Sequence, residues 1–122
     1  MTATSPFQIT AVNQVCFVVK DIDKAMAAYT RVGVKPWRVY TYGAPLVKNI
    51  TYRGRPGNWR FRIALATVGG FGLELIQPLS GESIYSEFLE KHGEGGIQHL
   101  GIVVENLDRV VEEARRSGYE VI

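Results

Sequence analysis

The sequence predicts an α+β domain built from two copies of one strand–helix unit, paired βαβββ modules of which the second is incomplete. Three observations carry this. Ile97–Ile122 lies on Val12–Trp37 without a gap at an offset of 85 positions, with Val103, Val104, Asp108, Arg116 and Gly118 on the identical Val18, Val19, Asp23, Arg31 and Gly33. Apolar and polar classes mostly agree elsewhere, as with Leu100 on Val15, Ile102 on Phe17 and Leu107 on Ile22. Each copy opens on an apolar run typical of a strand and passes into helical spacing. Finally, turn signals divide the rest of the first copy into short alternating segments.

Met1–Thr10 reads as a polar lead-in with Pro6. Val12–Val19 is a β-branched and aromatic run and predicts a strand. Asp21 follows as an N-cap, its carboxylate accepting from the free N–H groups of the first turn. Ile22, Ala25, Met26 and Tyr29 recur at i, i+3, i+4 and i+7, one apolar helix face, and Gly33 ends it. Pro36–Tyr42 begins a second strand; Gly43, Ala44 and Pro45 mark a turn, and Leu46–Tyr52 is a short edge strand or a loop. Gly54–Asn58 has strong loop chemistry. Arg60–Ala66 alternates, and Gly69-Gly70 turns it into Phe71–Gln77, a hairpin that Pro78 stops. Ser83 caps a short helix, Ile84–Lys91, and Gly93–Gly96 links to the second copy. A single domain over 1–122 therefore holds module one at about 11–79, a linker helix at about 83–91 and module two from about 97. The second module reads β-α and stops. A lone strand and helix do not complete a sheet, so further C-terminal strands are expected to belong to it; the alternative is an edge supplied by another subunit.

Bulk properties narrow the function. At 122 residues the chain is one domain, large enough for a core. Its 14 basic and 12 acidic residues nearly balance and form no like-charged block, which speaks against nucleic acid as partner. No secretory signal and no run long enough for a membrane span are visible, so no membrane is implied and a cytoplasmic location is the expectation. The single cysteine, Cys16, lies in an apolar run and reads as a small buried hydrophobe.

Three residues stand out chemically. Alternation puts Gln14, Cys16 and Val18 on one face of the first strand, His99, Gly101 and Val103 together in the second copy, and Gly72, Glu74 and Ile76 together in the hairpin. Glu74 sits between Leu73 and Leu75 in a strand expected to be largely buried. A buried carboxylate needs a cation, a hydrogen-bond partner or a solvated cup. Gln14, Glu74 and His99 are thus one potential ligand from each of three strands, and with a further carboxylate they would form an oxygen-rich divalent site suited to Co, Mn, Ni, Fe or Zn. The plainer alternatives are a structural His99 and a Glu74 facing water. Arg60 and Arg62 share a strand face and are candidates to hold a substrate carboxylate or CoA phosphate; the alternative is an exposed face balancing acidic neighbours. Trp37, Tyr40, Tyr42 and Trp59 read as packing and rim.

Val18-Val19-Lys20-Asp21-Ile22-Asp23 with Tyr29 and Gly33, then Leu73-Glu74-Leu75-Ile76-Gln77-Pro78, then His92-Gly93-Glu94-Gly95 leading to His99, resemble the vicinal oxygen chelate superfamily of glyoxalase, bleomycin-resistance and dioxygenase type, most closely its methylmalonyl-CoA epimerase-like branch. The resemblance runs from about Val12 to Ile122. It implies paired modules curling around a metal cup. It places the metal ligands at Gln14, where relatives commonly carry His, at Glu74 and at His99, with a fourth in further C-terminal strands. The activity it implies is a metal-dependent isomerase or lyase, such as an epimerase moving the α-proton of an acyl-CoA thioester through a metal-stabilised enediolate. No catalytic base is identified. The resemblance also implies a small-molecule substrate and a homodimer. The alternative is a metal-free binding protein of the bleomycin-resistance kind, in which the same three residues hydrogen-bond a ligand.

Overall fold

The repeat is written into the backbone. Residues 7–122 are described by a computed structural model; Met1–Pro6 of the expected lead-in lie outside them. Helix α1 (Ile22–Arg31) and helix α3 (Leu107–Arg116) begin and end 85 positions apart. Their N-caps, Asp21 and Asn106, have φ −135°, ψ 97° and φ −136°, ψ 98°. Each cap side chain accepts from the N–H three residues on, Lys24 or Arg109, at 3.1 Å. A cap of this kind contributes about 1 kcal/mol. Gly33 and Gly118 follow the two helices at φ 97° and 88°, where a Cβ would be strained.

Between the helices run β2 (Arg38–Gly43), the two-residue strands β3 (Thr51–Tyr52) and β4 (Arg55–Pro56), then β5 (Arg60–Val68), β6 (Phe71–Ser80) and helix α2 (Ile84–His92). Strand β1 (Ile9–Val18) precedes α1, and β7 (Ile97–Val104) precedes α3. One five-stranded sheet has the order β2-β5-β6-β1-β7. Only β1 and β6 pair in parallel, as the crossover through α1 requires. Strand β1 thus joins the first module to the first strand of the second. It starts at Ile9, ahead of the apolar run that marks it in sequence, because its ladder with β7 continues to Ile9 opposite Val104. The stretch expected as a loop at Gly54–Asn58 contains β4, paired with β3 in a small separate hairpin. No helix among the described residues is long and apolar enough to cross a membrane.

The pleat separates two cores. On one face Val19, Ala64 and Leu75 bury against Ile22, with Phe17, Ala25, Met26, Tyr29 and Trp37 packed around them. On the other, Cys16, Phe61 and Ile76 are buried beneath Trp59, Ile63 and Tyr85. Helix α2, which supplies Tyr85, starts in a capping box: Ser86 N–H donates to Ser83 Oγ at 3.1 Å and Ser83 N–H to Ser86 Oγ at 2.9 Å. His92 ends this helix with its ring 4.7 Å from that of Phe88.

Glu87 on α2 ties the small hairpin down. It accepts from Arg53 at 2.6 and 3.0 Å, from the Tyr52 hydroxyl and from Lys91 at 3.1 Å. Arg53 first, then Tyr52 and Lys91, hold its carboxyl at about 2, below the ordinary 4.5. A depressed folded-state value stabilises the fold above the ordinary value, and that contribution disappears as pH falls toward 2. The melting temperature is therefore expected to fall across this window, and less steeply in Glu87→Gln. Equal acid slopes by circular dichroism would exclude Glu87 as a contributor.

Candidate metal centre

Cross-strand register lines up Arg38, Leu65, Glu74, Cys16 and His99 as one row across the sheet. Directly paired residues face the same way, so this row lies on the face opposite α1. The donor atoms of Cys16, Glu74 and His99 lie within 4.8 Å of one another. Glu74 Oε1 and His99 Nε2 are 3.4 Å apart, with side chains 13% and 33% exposed.

The other ring nitrogen decides what that contact can be. His99 Nδ1 meets the side-chain amide of Gln98, and which of the two donates follows the tautomer of the ring. With its proton on Nε2 the neutral ring donates to the Glu74 carboxylate, and with its proton on Nδ1 it turns the Nε2 lone pair toward that oxygen. In the second form a cation between the two atoms, a further ring proton or a metal ion, completes the contact. The spacing suits an ion: oxygen and nitrogen ligands at ~2.0–2.1 Å from one tetrahedral centre stand about 3.3 Å apart.

Gln14 lies two residues before Cys16 on the same face of β1, opposite Gly72 on β6 and Gly101 on β7. Those glycines make room for its side chain: a Cβ on Gly101 would come 2.7 Å from Gln14 Cβ and 3.0 Å from its Oε1. With Arg38, Leu65, Thr67 and Gly72, Gln14 lines an open pocket of about 350 Å³. Beyond the row the wall is aromatic. Tyr42, Trp59, Phe61 and Tyr85 follow one another with ring centroids 6.0, 5.1 and 4.9 Å apart, and Tyr85 is 6.3 Å from His99. Burial, with smaller contributions from Cys16 and Glu74, pushes the Tyr85 hydroxyl up to about 12, so at neutral pH it is a hydrogen-bond donor. Burial also pushes the Cys16 thiol up, and the Glu74 carboxylate adds to it.

Of the residues singled out in the sequence, Glu74 and His99 are brought together and Gln14 is placed on the same face beside them. Arg62 is placed elsewhere. It pairs with Asp23 of α1 at 3.2 and 3.3 Å, on the opposite face of the sheet. Arg60 is exposed at the start of β5, next to a register shift. The arginine on the row is Arg38, which carried no signal in sequence beyond its place in a strand. Cys16 is buried as expected, packed with Phe61 and Ile76, and it also neighbours Glu74 and His99. Alternation already put it on the Gln14 face; its pairing with His99 depends on the β1–β7 register, which the repeat alignment does not contain.

A family model described as the Glyoxalase/Bleomycin resistance protein/Dioxygenase superfamily matches residues 13–122. Among solved structures, methylmalonyl-CoA epimerase from Mycobacterium tuberculosis is 30% identical with a TM-score of 0.64, covering 97% of this chain and 69% of that one. A hypothetical protein from Bacillus halodurans is 24% identical with a TM-score of 0.62, covering 88% and 68%. A Streptomyces coelicolor methylmalonyl-CoA epimerase variant in complex with 2-nitronate-propionyl-CoA shares the fold at 19% identity and a TM-score of 0.68, covering 94% and 74%. Comparison with curated protein sequences gives no match. The chain belongs to the glyoxalase/bleomycin resistance protein/dioxygenase superfamily, in its methylmalonyl-CoA epimerase-like branch.

Proposed function

We propose that the chain is a metal-dependent enzyme of the glyoxalase/epimerase type that moves the α-proton of an acyl-CoA thioester such as methylmalonyl-CoA. The observation that carries this reading is the convergence of Glu74 and His99, 3.4 Å apart and at the spacing of two ligands on one ion. The 30% identical epimerase structure supports the choice of substrate class. Glu74 and His99 hold the ion, one of Co, Mn, Ni, Fe or Zn, and the Gln14 amide oxygen is a neutral donor beside them. Bound there, a divalent ion supplies Lewis-acid polarisation of a substrate carbonyl.

The chain's own residues account for the rest. The Arg38 guanidinium, on the same row and in the same pocket as Gln14, binds the substrate carboxylate and fixes its orientation. Tyr85 keeps its proton and stands with its ring 6.3 Å from that of His99, at the aromatic side of the site. The run from Tyr42 to Tyr85 excludes water from that side of the site.

The test is a melt of the metal-stripped protein with and without Co, Mn, Ni or Zn, followed by incubation with methylmalonyl-CoA in deuterated water. Metal-dependent stabilisation together with deuterium at the α-carbon is the expected result. Stabilisation without exchange would remove the epimerase assignment. Neither effect would mean that a proton closes the Glu74–His99 pair, leaving a metal-free ligand-binding protein. Arg38→Ala is expected to raise KM by roughly 10- to 100-fold, the equivalent of a charged hydrogen bond, with a smaller change in kcat. Steady-state kinetics on that variant check it.

A further inference from the structure

We infer that Cys16 is itself a ligand, a thiolate to the ion held by Glu74 and His99, so that the site takes zinc or cobalt in preference to manganese. This rests on the metal-dependent reading above. Glu74 and His99 stand on β6 and β7, and β1 runs between them; the β1 side chain in their row is Cys16. An ion bound to both neighbours therefore lies against that thiol. Its Sγ is already within 4.8 Å of both donors, and its contact with the Phe17 carbonyl, at 3.8 Å, is weak. With a metal–sulfur bond of ~2.3 Å, sulfur and its neighbours on a tetrahedral ion stand about 3.5 Å apart, a closure that small rotamer changes in Glu74 and His99 supply.

Charge balance argues the same way. Cys16 is fully buried and Glu74 nearly so. A divalent ion with Glu74 as its one anionic ligand leaves a net positive charge in a poorly solvated place, whereas a second anion makes the centre neutral. On binding, the S–H bond breaks, the S–metal bond forms and one proton leaves to solvent; a coordinating thiol is deprotonated by the ion itself. A soft thiolate favours zinc and cobalt over manganese.

The test uses the full chain, stripped of metal and titrated with Co²⁺, with absorption and melting followed together. The chain has one cysteine, so a thiolate-to-cobalt charge-transfer band in the near ultraviolet has a single source. The expected result is a band that saturates in step with the rise in melting temperature, is displaced by Zn²⁺ far more readily than by Mn²⁺, and is lost in Cys16→Ala but kept in Arg62→Ala, a change on the opposite face of the sheet. A full rise in melting temperature with no such band would overturn Cys16 as a ligand and leave the metal-dependent reading standing. Neither a band nor a rise in the parent would overturn both.

Discussion

Glu74→Gln is expected to abolish the metal-dependent rise in melting temperature. At a metal concentration about 100 times Kd, linkage contributes ~2.7 kcal/mol, which for a domain of this size is roughly 10 °C. The substitution keeps the shape of the side chain and removes the charge that faces His99 Nε2. Without metal, the variant is expected to melt at or slightly above the parent, because a largely buried carboxylate is exchanged for a neutral amide. His99→Ala removes the other donor and should lose the same rise. Turnover of an acyl-CoA epimer should fall by about 1000-fold or more in both, since Lewis-acid stabilisation is worth several kcal/mol. A full metal-induced rise in Glu74→Gln would rule the row out as the metal centre.

Gly43→Ala is expected to be the most damaging single methyl that can be added to the chain. Gly43 ends β2 at φ 112°, and a Cβ there would lie 2.2 Å from the Trp59 carbonyl oxygen and 2.9 Å from Arg60 Cα. Both are backbone atoms, so no side chain can swing away. The same segment is gripped from the far side by Gly81, whose Cβ would come 2.7 Å from Trp59 Cα. Ala44 N–H donates to that Trp59 carbonyl at 3.0 Å, and Trp59 Nε1 donates to the Thr51 carbonyl at 2.8 Å. A destabilisation above about 4 kcal/mol follows, well outside the range of ordinary substitutions. Gly33→Ala is the control: its φ of 97° is also positive, but nothing lies within 4 Å of the added carbon. It should lose only about 1–2 kcal/mol, the cost of the left-handed backbone. Chemical denaturation of both variants checks the contrast, and similar midpoints would refute the close packing around Trp59.

Periodicity and caps made the elements legible because they are local. Asp21 and Ser83 announce helices that do start there, and the Gly69-Gly70 turn does join two paired strands. Glu74 was legible as a charge in an apolar strand, and His99 through its place in the repeat. What stayed hidden were facts of register. Arg62 alternates correctly along β5, yet its face is the one that α1 covers, where Asp23 neutralises it. Arg38 reaches the site row only because it pairs with Leu65, and Leu65 with Glu74. Cys16 meets His99 because β7 runs antiparallel to β1, whereas the repeat sets Cys16 equivalent to Gly101. Equivalence in a repeat is a relation of descent; contact is a relation of pairing.

The place of β1 between β6 and β7 has a consequence in time. Strands β5 and β6 are joined by a tight turn and can close as soon as the chain collapses. Both ladders of β1 wait on partners far away in sequence, which slows folding. Glu74 therefore gains its pairing with Leu65 early, while its pairing with Cys16, and that of Cys16 with His99, come with the slowest closures. In a stopped-flow refolding experiment with Co²⁺ present, Trp59 fluorescence in a Trp37→Phe background should recover before any cobalt signal develops. Simultaneous recovery would mean that the sheet forms in one step. In the sequential case the chain passes through a state that is folded in half and still unable to capture an ion.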